Sequence, residues 1–254
     1  MHRFHLPPDQ CLEPSIFLAG REAHHALRVL RVRRGDRVIV LDGTGAELHC
    51  EVGDSDRDKV QLAVLERKSF PRPGCAITLL QGIPKGKLME SIIQKATELG
   101  AFRIVPILTE RVAIHLDQRG AALKAAKWQT VAVEAIKQCG SPWLPKVEEP
   151  MTPAQFLARK ERFDLPLIAS LGPDRLHPHE YFRQYSGKHG AGPHTISVWV
   201  GPEGDFTPDE IAAVVAAGAL PITLGPLVLR CETAATYCLS VLNYEATSSR
   251  TVAE

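Results

Sequence analysis

Twice toward its C-terminus this chain ends an apolar strand on Gly-Pro: TISVWV runs into Gly201-Pro202, and LPITL runs into Gly225-Pro226. Glycine lets another group approach the backbone closely and proline fixes the chain's path, so the neighbouring amides and carbonyls present a rigid polar edge. The first turn, GPEGDF, leads straight into a helix start. Thr207 caps it, Pro208 takes the first helical position, and Glu210 closes a capping box. A sharp turn at the carboxyl end of a strand is where open α/β sheets hold ligands. A small-molecule site at these turns is the first expectation, set against an ordinary strand-to-helix connection.

The rest of the chain reads in two parts. From Arg37 onward, RVIVLDG, AELHCEVG and KVQLAVLER are short strands separated by Gly and Asp turns, which predicts a small antiparallel sheet or barrel. SFPRPG (69–74) breaks the pattern, so domains are expected over 1–72 and 73–254. Beyond the break come the strand AITLLQGI, an amphipathic helix over KLMESIIQKATELG stopped by Gly100, and the strand RIVPIL. A second helix, about 120–138, ends at Gly140 before the proline-rich connector SPWLPKVEEPMTP. There follow the strand LPLIAS, a polar loop near 172–194, the strand at 195–200, the helix PDEIAAVVAAG, the strand LPITLG and a final helix from about Glu232. Strand–helix alternation of this kind implies an α/β domain whose parallel sheet is covered by helices on both faces.

Composition narrows the function. At 254 residues and 44% hydrophobic, the chain can bury one large core or two smaller ones. No run of eighteen apolar residues is present and MHRFHLPPDQ lacks a signal peptide's apolar stretch, so a cytoplasmic protein is expected. The six cysteines form no C-x-x-C pair, which favours reduced thiols over disulfides or zinc. His24-His25 and His177-x-His179 have no third ligand at a familiar spacing, and no metal is expected. Net charge is only +1, yet RVLRVRRGDR packs Arg28, Arg31, Arg33, Arg34 and Arg37 against the single acid Asp36. Such a cluster is either a phosphate-binding footprint or a solvated basic turn. GIPKGK is one residue short of a phosphate loop and has Leu88 where a Ser or Thr would hold Mg²⁺; GTGAEL lacks the third glycine of a dinucleotide fingerprint. A nucleotide-dependent, doubly wound enzyme is therefore disfavoured.

Four blocks, QGIPKGKLMESIIQKATELGAFRIVPI, KWQTVAVEAIKQCG, VWVGPEGDFTPDEI and LGPLVLRCETAA, resemble in order and spacing the signature blocks of the bacterial 16S rRNA uracil-N3 methyltransferases, a branch of the SPOUT methyltransferases. HHALRVLRVRRGD similarly resembles the start of that family's PUA-like RNA-binding domain. The resemblance implies a PUA-like β-barrel over 1–72 and a knotted SPOUT α/β domain over 73–254, with a deep trefoil knot. It further implies a homodimer whose interface completes each cofactor pocket, S-adenosylmethionine as methyl donor, and the 16S rRNA of the 30S subunit as substrate. Three positions depart from the pattern: Ser141 stands where the family usually has Arg, Asp205 where it usually has a second Gly, and Cys231 where it often has Thr. The loop at 172–194 also looks longer than usual.

Methylation at uracil N3 requires loss of a weakly acidic proton, hence a base or strong stabilisation of the anion. Glu203 and Glu232 are the candidate carboxylates. Arg230 is the candidate partner for a uracil oxygen gaining negative charge, unless it serves as a structural ion pair to either. The cofactor pocket is expected to use Leu171, Gly172, Gly201, Pro202, Glu203, Gly204, Leu224, Gly225, Leu229, Thr233 and Ala234, chiefly through main-chain groups. For RNA, Lys85 and Lys87 stand at a helix start, where positive charge opposes the macrodipole and suggests an anionic partner. Lys127, Glu134 and Gln138 share a helical stripe, and Trp128 faces another way as packing. With Arg28, Arg31, Arg33 and Arg34, these lysines and Gln138 make up the expected basic track. The alternative is a non-catalytic RNA-binding protein that keeps a degenerate methyltransferase-like domain.

Overall fold

The computed structural model describes residues 1–111 and 117–248. They form two compact units: Met1–Arg72 with Val133–Leu144, and Pro73–Ala132 with Pro145–Glu254.

In the first unit, β1 (His2–His5), β2 (Ser15–Ala19), β3 (Arg37–Leu41), β4 (Ala46–Ser55) and β5 (Lys59–Ser69) form one curled sheet in the order β1-β3-β4-β5-β2. Strict alternation writes the inner face, with Leu48, Cys50 and Val52 buried on β4 and Val60 and Leu62 on β5. Three features modify the antiparallel barrel expected from sequence. β1 pairs parallel with β3, β1 and β2 are open edges, and 20–30 is helical. That helical stretch is α1 (Gly20–His24) continued by a π-helix, His25–Leu30, which stops where Arg31 turns left-handed at φ +54°. β1 was hidden because HRFH buries only Phe4 fully, so no period shows.

The segment Val133–Leu144 belongs to the first compact unit. Ile136 packs with Ile39 and Leu41. Gly45 donates its N–H to the Pro142 carbonyl at 2.9 Å, and a Cβ on Gly45 would strike the Trp143 ring. Lys137, only 5% exposed, is neutralised by Glu22 at 2.8 Å and Glu134 at 3.1 Å. A buried ammonium without such partners would be strongly destabilising.

The second unit holds β6 (Ala76–Gly82), α2 (Leu88–Glu98), β7 (Arg103–Ile107), most of α3 (Gln118–Cys139), β8 (Lys146–Val147) and α4 (Pro153–Ala158). It continues through β9 (Leu165–Ala169), α5 (Pro178–His189), β10 (Thr195–Val200), α6 (Pro208–Ala216), β11 (Leu220–Ile222) and α7 (Cys231–Ser248). The strands form one wholly parallel sheet in the order β11-β9-β10-β6-β7-β8. Being covered on both faces, its central strands are buried almost without interruption, as β6 and β10 show. α2 buries Met89, Ile92, Ile93 and Ala96 and ends where Gly100 adopts φ +77°. Trp128 is buried on α3, as its face suggested.

Two stretches read as irregular contain regular structure. The 172–194 loop holds α5, started by a His177 cap on His179 N and Pro178 at the first turn, stopped by left-handed Gly190, and packed through Tyr181 and Phe182. The proline-rich connector holds β8 and α4, the latter begun by a Thr152/Gln155 capping box. Among the described residues no helix is long and apolar enough to cross a membrane, and no three His, Cys, Asp or Glu side chains gather as a metal site.

Candidate cofactor and active site

Parallel pairing of β9 with both β10 and β11 brings three strand ends side by side, so the turns after Ala169, Val200 and Ile222 converge. The turn after Val200 is clamped from several directions. Pro202 presses so closely on Gly82 that a Cβ there would collide with its ring and nitrogen. Lys85 donates its N–H to both oxygens of Glu203, each at 3.2 Å. Arg111 Nη1 donates to the Gly204 carbonyl at 2.6 Å. Glu210, buried, accepts from Thr207 N (2.8 Å) and from Glu110 N (3.0 Å), so the foreseen capping box also ties in the end of the β7 loop. Asp205 takes φ +56° and its carboxylate accepts from Phe206 N at 2.8 Å. The left-handed backbone explains why glycine suits this position and why Asp can replace it.

The second turn follows β11. Gly225 sits at φ +103°, a conformation L side chains rarely adopt, and donates its N–H to Thr223 Oγ1 at 3.2 Å. The third wall is the start of the 170–176 segment. Gly172 N donates to Ser170 Oγ (3.0 Å), Arg175 Nη1 to the Ser170 carbonyl (3.0 Å), and Leu176 bridges Ile222.

Between these walls lies a cavity of about 360 Å³ with a largely apolar lining. Of the residues expected at a cofactor pocket, Leu171, Gly201, Pro202, Glu203, Leu224, Gly225, Leu229 and Ala234 line it, and so does Arg230. Gly172, Gly204, Thr233 and Glu232 are not among its lining residues. Sequence reasoning missed Ala169, Ser170 and Arg175, and also Val200, Asp205, Leu227, Val228 and Cys231. Only the last five sit inside the quoted blocks and could have been found there.

The charged groups differ in their ties. Glu203 is engaged by Lys85 N, and Glu232 Oε2 accepts from the Cys231 thiol at 3.3 Å. Arg230 is exposed, and among the described residues its guanidinium makes no hydrogen bond or ion pair, so the structural pairing with Glu203 or Glu232 is absent. Burial first, then the bond to Glu232, pushes the Cys231 thiol up to about 12. At pH 8 iodoacetamide should therefore label exposed Cys139 well before Cys231, although Cys231 lines a cavity. Peptide mass spectrometry showing equal rates would contradict this environment.

The comparisons fit this geometry. An RNA methyltransferase domain model matches residues 71–243, and an RNA methyltransferase PUA domain model matches 18–65. A ribosomal RNA small subunit methyltransferase E of Synechocystis is 34% identical over 95% of this chain and 77% of its own length. The chain belongs to that family. The family resemblance drawn from the four sequence blocks is thus borne out. Two solved structures align across nearly the whole chain. A methyltransferase of Legionella pneumophila in complex with S-adenosylmethionine has a TM-score of 0.84 at 30% identity, covering 95% of this chain and 96% of that one. The small subunit methyltransferase E of Neisseria gonorrhoeae, bound to S-adenosylmethionine, has a TM-score of 0.83 at 28% identity, covering 96% and 97%.

For a methyltransferase E family member the basic side chains matter next. Arg28, Arg31, Arg33 and Arg34 are all exposed in the first unit, Arg34 in an ion pair with Asp54 at 3.0 Å. Gln138 is exposed there too, while Glu134 is tied to Arg21 and Lys137. In the second unit Lys85 and Lys87 are exposed, and Lys127 is held by Glu90 at 2.6 Å. The Lys127 contact also draws the Glu90 carboxyl below its ordinary value.

Proposed function

We propose that this protein methylates N3 of a uridine in 16S rRNA, using S-adenosylmethionine bound between the turns at 200–206 and 223–230. The observation that carries the reading is the cavity itself: apolar walls, two Gly-Pro edges and an unpartnered arginine at its side. Its volume of about 360 Å³ falls in the range of small-molecule sites, roughly 300–1,000 Å³. Pro202, Leu224, Gly225 and Leu229 would hold the adenosine through main-chain edges and apolar contact. When bound, S-adenosylmethionine supplies an electrophilic methyl group on sulfur.

The chain's own groups then have separate tasks. Arg230 offers a guanidinium to a uracil oxygen, stabilising the charge that develops as N3 loses its proton. Glu203, which lines the cavity, is the carboxylate best placed to take part in that proton's removal; Glu232 lies outside the lining and acts through Cys231 and the start of α7. Lys85 N holds the Glu203 carboxylate in one orientation. Arg28, Arg31, Arg33 and Arg34 on the PUA-type domain, with Lys85, Lys87 and Gln138, supply phosphate and RNA contacts, while Lys127 reaches RNA only by leaving Glu90. The working division is an RNA-binding domain over 1–72 and a catalytic domain over 73–254, the latter with the trefoil threading of its family.

The protein acts in the cytoplasm as a homodimer. Leu227 (74% exposed), Val228 (79%) and Tyr244 (70%) leave large apolar groups uncovered, and Leu227 and Val228 belong to the cavity lining. A second copy seated on them would finish each pocket. Tyr244→Asp should shift the sedimentation coefficient from that of a dimer to that of a monomer; an unchanged dimer would place the interface elsewhere.

The function itself is tested by mass spectrometry of 16S rRNA from cells lacking the protein. The expected result is loss of one N3-methyluridine, restored by the wild-type chain. An unchanged methylation pattern would favour the non-catalytic RNA-binding reading.

A further inference from the structure

Two arginines line the cavity, and they are built differently. Arg230 is exposed and free of partners at the entry to α7, whereas Arg175 is half-buried and anchored through Nη1 to the Ser170 carbonyl at 3.0 Å. The wall carrying Arg175 is fixed to the sheet. Ser170 N donates to Ile222 O (3.1 Å), Thr223 N donates to Leu176 O (2.9 Å), and Leu176 bridges Ile222. That single anchor leaves most of the five donors of the guanidinium unused, and among the described residues Arg175 has no carboxylate partner. The cavity's two acids are otherwise engaged: Glu203 by Lys85 N and Asp205 by Phe206 N.

A half-buried, pre-positioned fork of donors beside an apolar cavity calls for a planar anion that stays with the ligand. We propose that Arg175 binds the α-carboxylate of the cofactor's methionine end and so selects ligands that carry an amino-acid tail. The inference rests on the cofactor reading above. It also separates the two arginines: the anchored one serves the resident cofactor, and the free one serves the uracil that arrives from solvent.

The test is calorimetry on the full chain with three probes: S-adenosylmethionine, S-adenosylhomocysteine and 5′-methylthioadenosine, which keeps the adenosine and sulfur but has no carboxylate. Arg175→Ala should weaken the first two by about tenfold or more, the size of a lost charge-assisted hydrogen bond, and leave methylthioadenosine within about twofold. Arg175→Lys should recover part of the loss, since it keeps the charge without the fork. Equal weakening of all three probes would make Arg175 a support of the wall only, and unchanged affinity for S-adenosylmethionine would remove it from the site; either overturns the proposal. A wild-type chain that binds none of the three would overturn the cofactor reading and this inference with it, whereas failure confined to Arg175→Ala leaves that reading standing.

Discussion

Arg230→Ala lowers methyl transfer to 30S subunits by about tenfold or more, with the affinity for S-adenosylmethionine and the melting temperature nearly unchanged. The expectation follows from what Arg230 does not touch. Glu203 is satisfied by Lys85 N and Glu232 by the Cys231 thiol, so truncating Arg230 orphans no carboxylate. The Arg230 carbonyl still accepts from Ala234 N at 2.8 Å and α7 keeps its first turn. What disappears is one cation lining the cavity, the group proposed to face the uracil oxygen that gains charge. Donors aimed at developing charge act in the transition state, so the loss should fall on kcat rather than on KM. Normal turnover by Arg230→Ala would remove this residue from the mechanism.

Gly225→Val weakens cofactor binding while leaving a folded protein. A Cβ at Gly225 meets nothing within 4 Å, so steric collision with neighbours is not the cause. The cause is the backbone. At φ +103° a β-branched residue is strained, at a cost of order 1–3 kcal/mol or more, and the turn escapes by rotating to negative φ. Rotation breaks the Gly225 N to Thr223 Oγ1 bond and re-aims the main-chain edge that faces the cavity. Affinity for S-adenosylmethionine should fall by roughly tenfold to a hundredfold. Gly187→Ala is the control, because Gly187 is exposed on α5 outside the lining, its φ is ordinary and a Cβ there meets nothing within 4 Å; it should bind within about twofold of wild type. Unchanged affinity in Gly225→Val would mean that the edge at 223–230 does not hold the ligand.

What the sequence made legible is local. The Thr207/Glu210 box, the Gly100 stop and the two Gly-Pro turns are each written within a few adjacent residues, and each is present in the structure. What it hid depends on distant partners. α5 is poor in apolar residues and becomes a helix because Tyr181 and Phe182 find a core to enter. β1 exists because β3 offers it a parallel edge. Val133–Leu144 joins the first unit through Ile136, Lys137 and Trp143, whose partners lie some hundred residues earlier in the chain. The site divides the same way. Its glycine turns were readable, whereas Arg175 and Ser170 enter the lining through the alignment of β9 with β11, which no local pattern announces. Asp205 lies between: a departure from the family's glycine in sequence, and in structure a residue that tolerates the left-handed turn.

The most direct measurement is a crystal structure of the full chain with S-adenosylmethionine. The ligand should lie between the 200–206 and 223–230 turns, with its adenine against Leu224, Gly225 and Leu229 and its sulfur end toward the Glu203 and Arg230 side. Density for the ligand anywhere else, or binding in solution that leaves these two turns bare, would contradict the account.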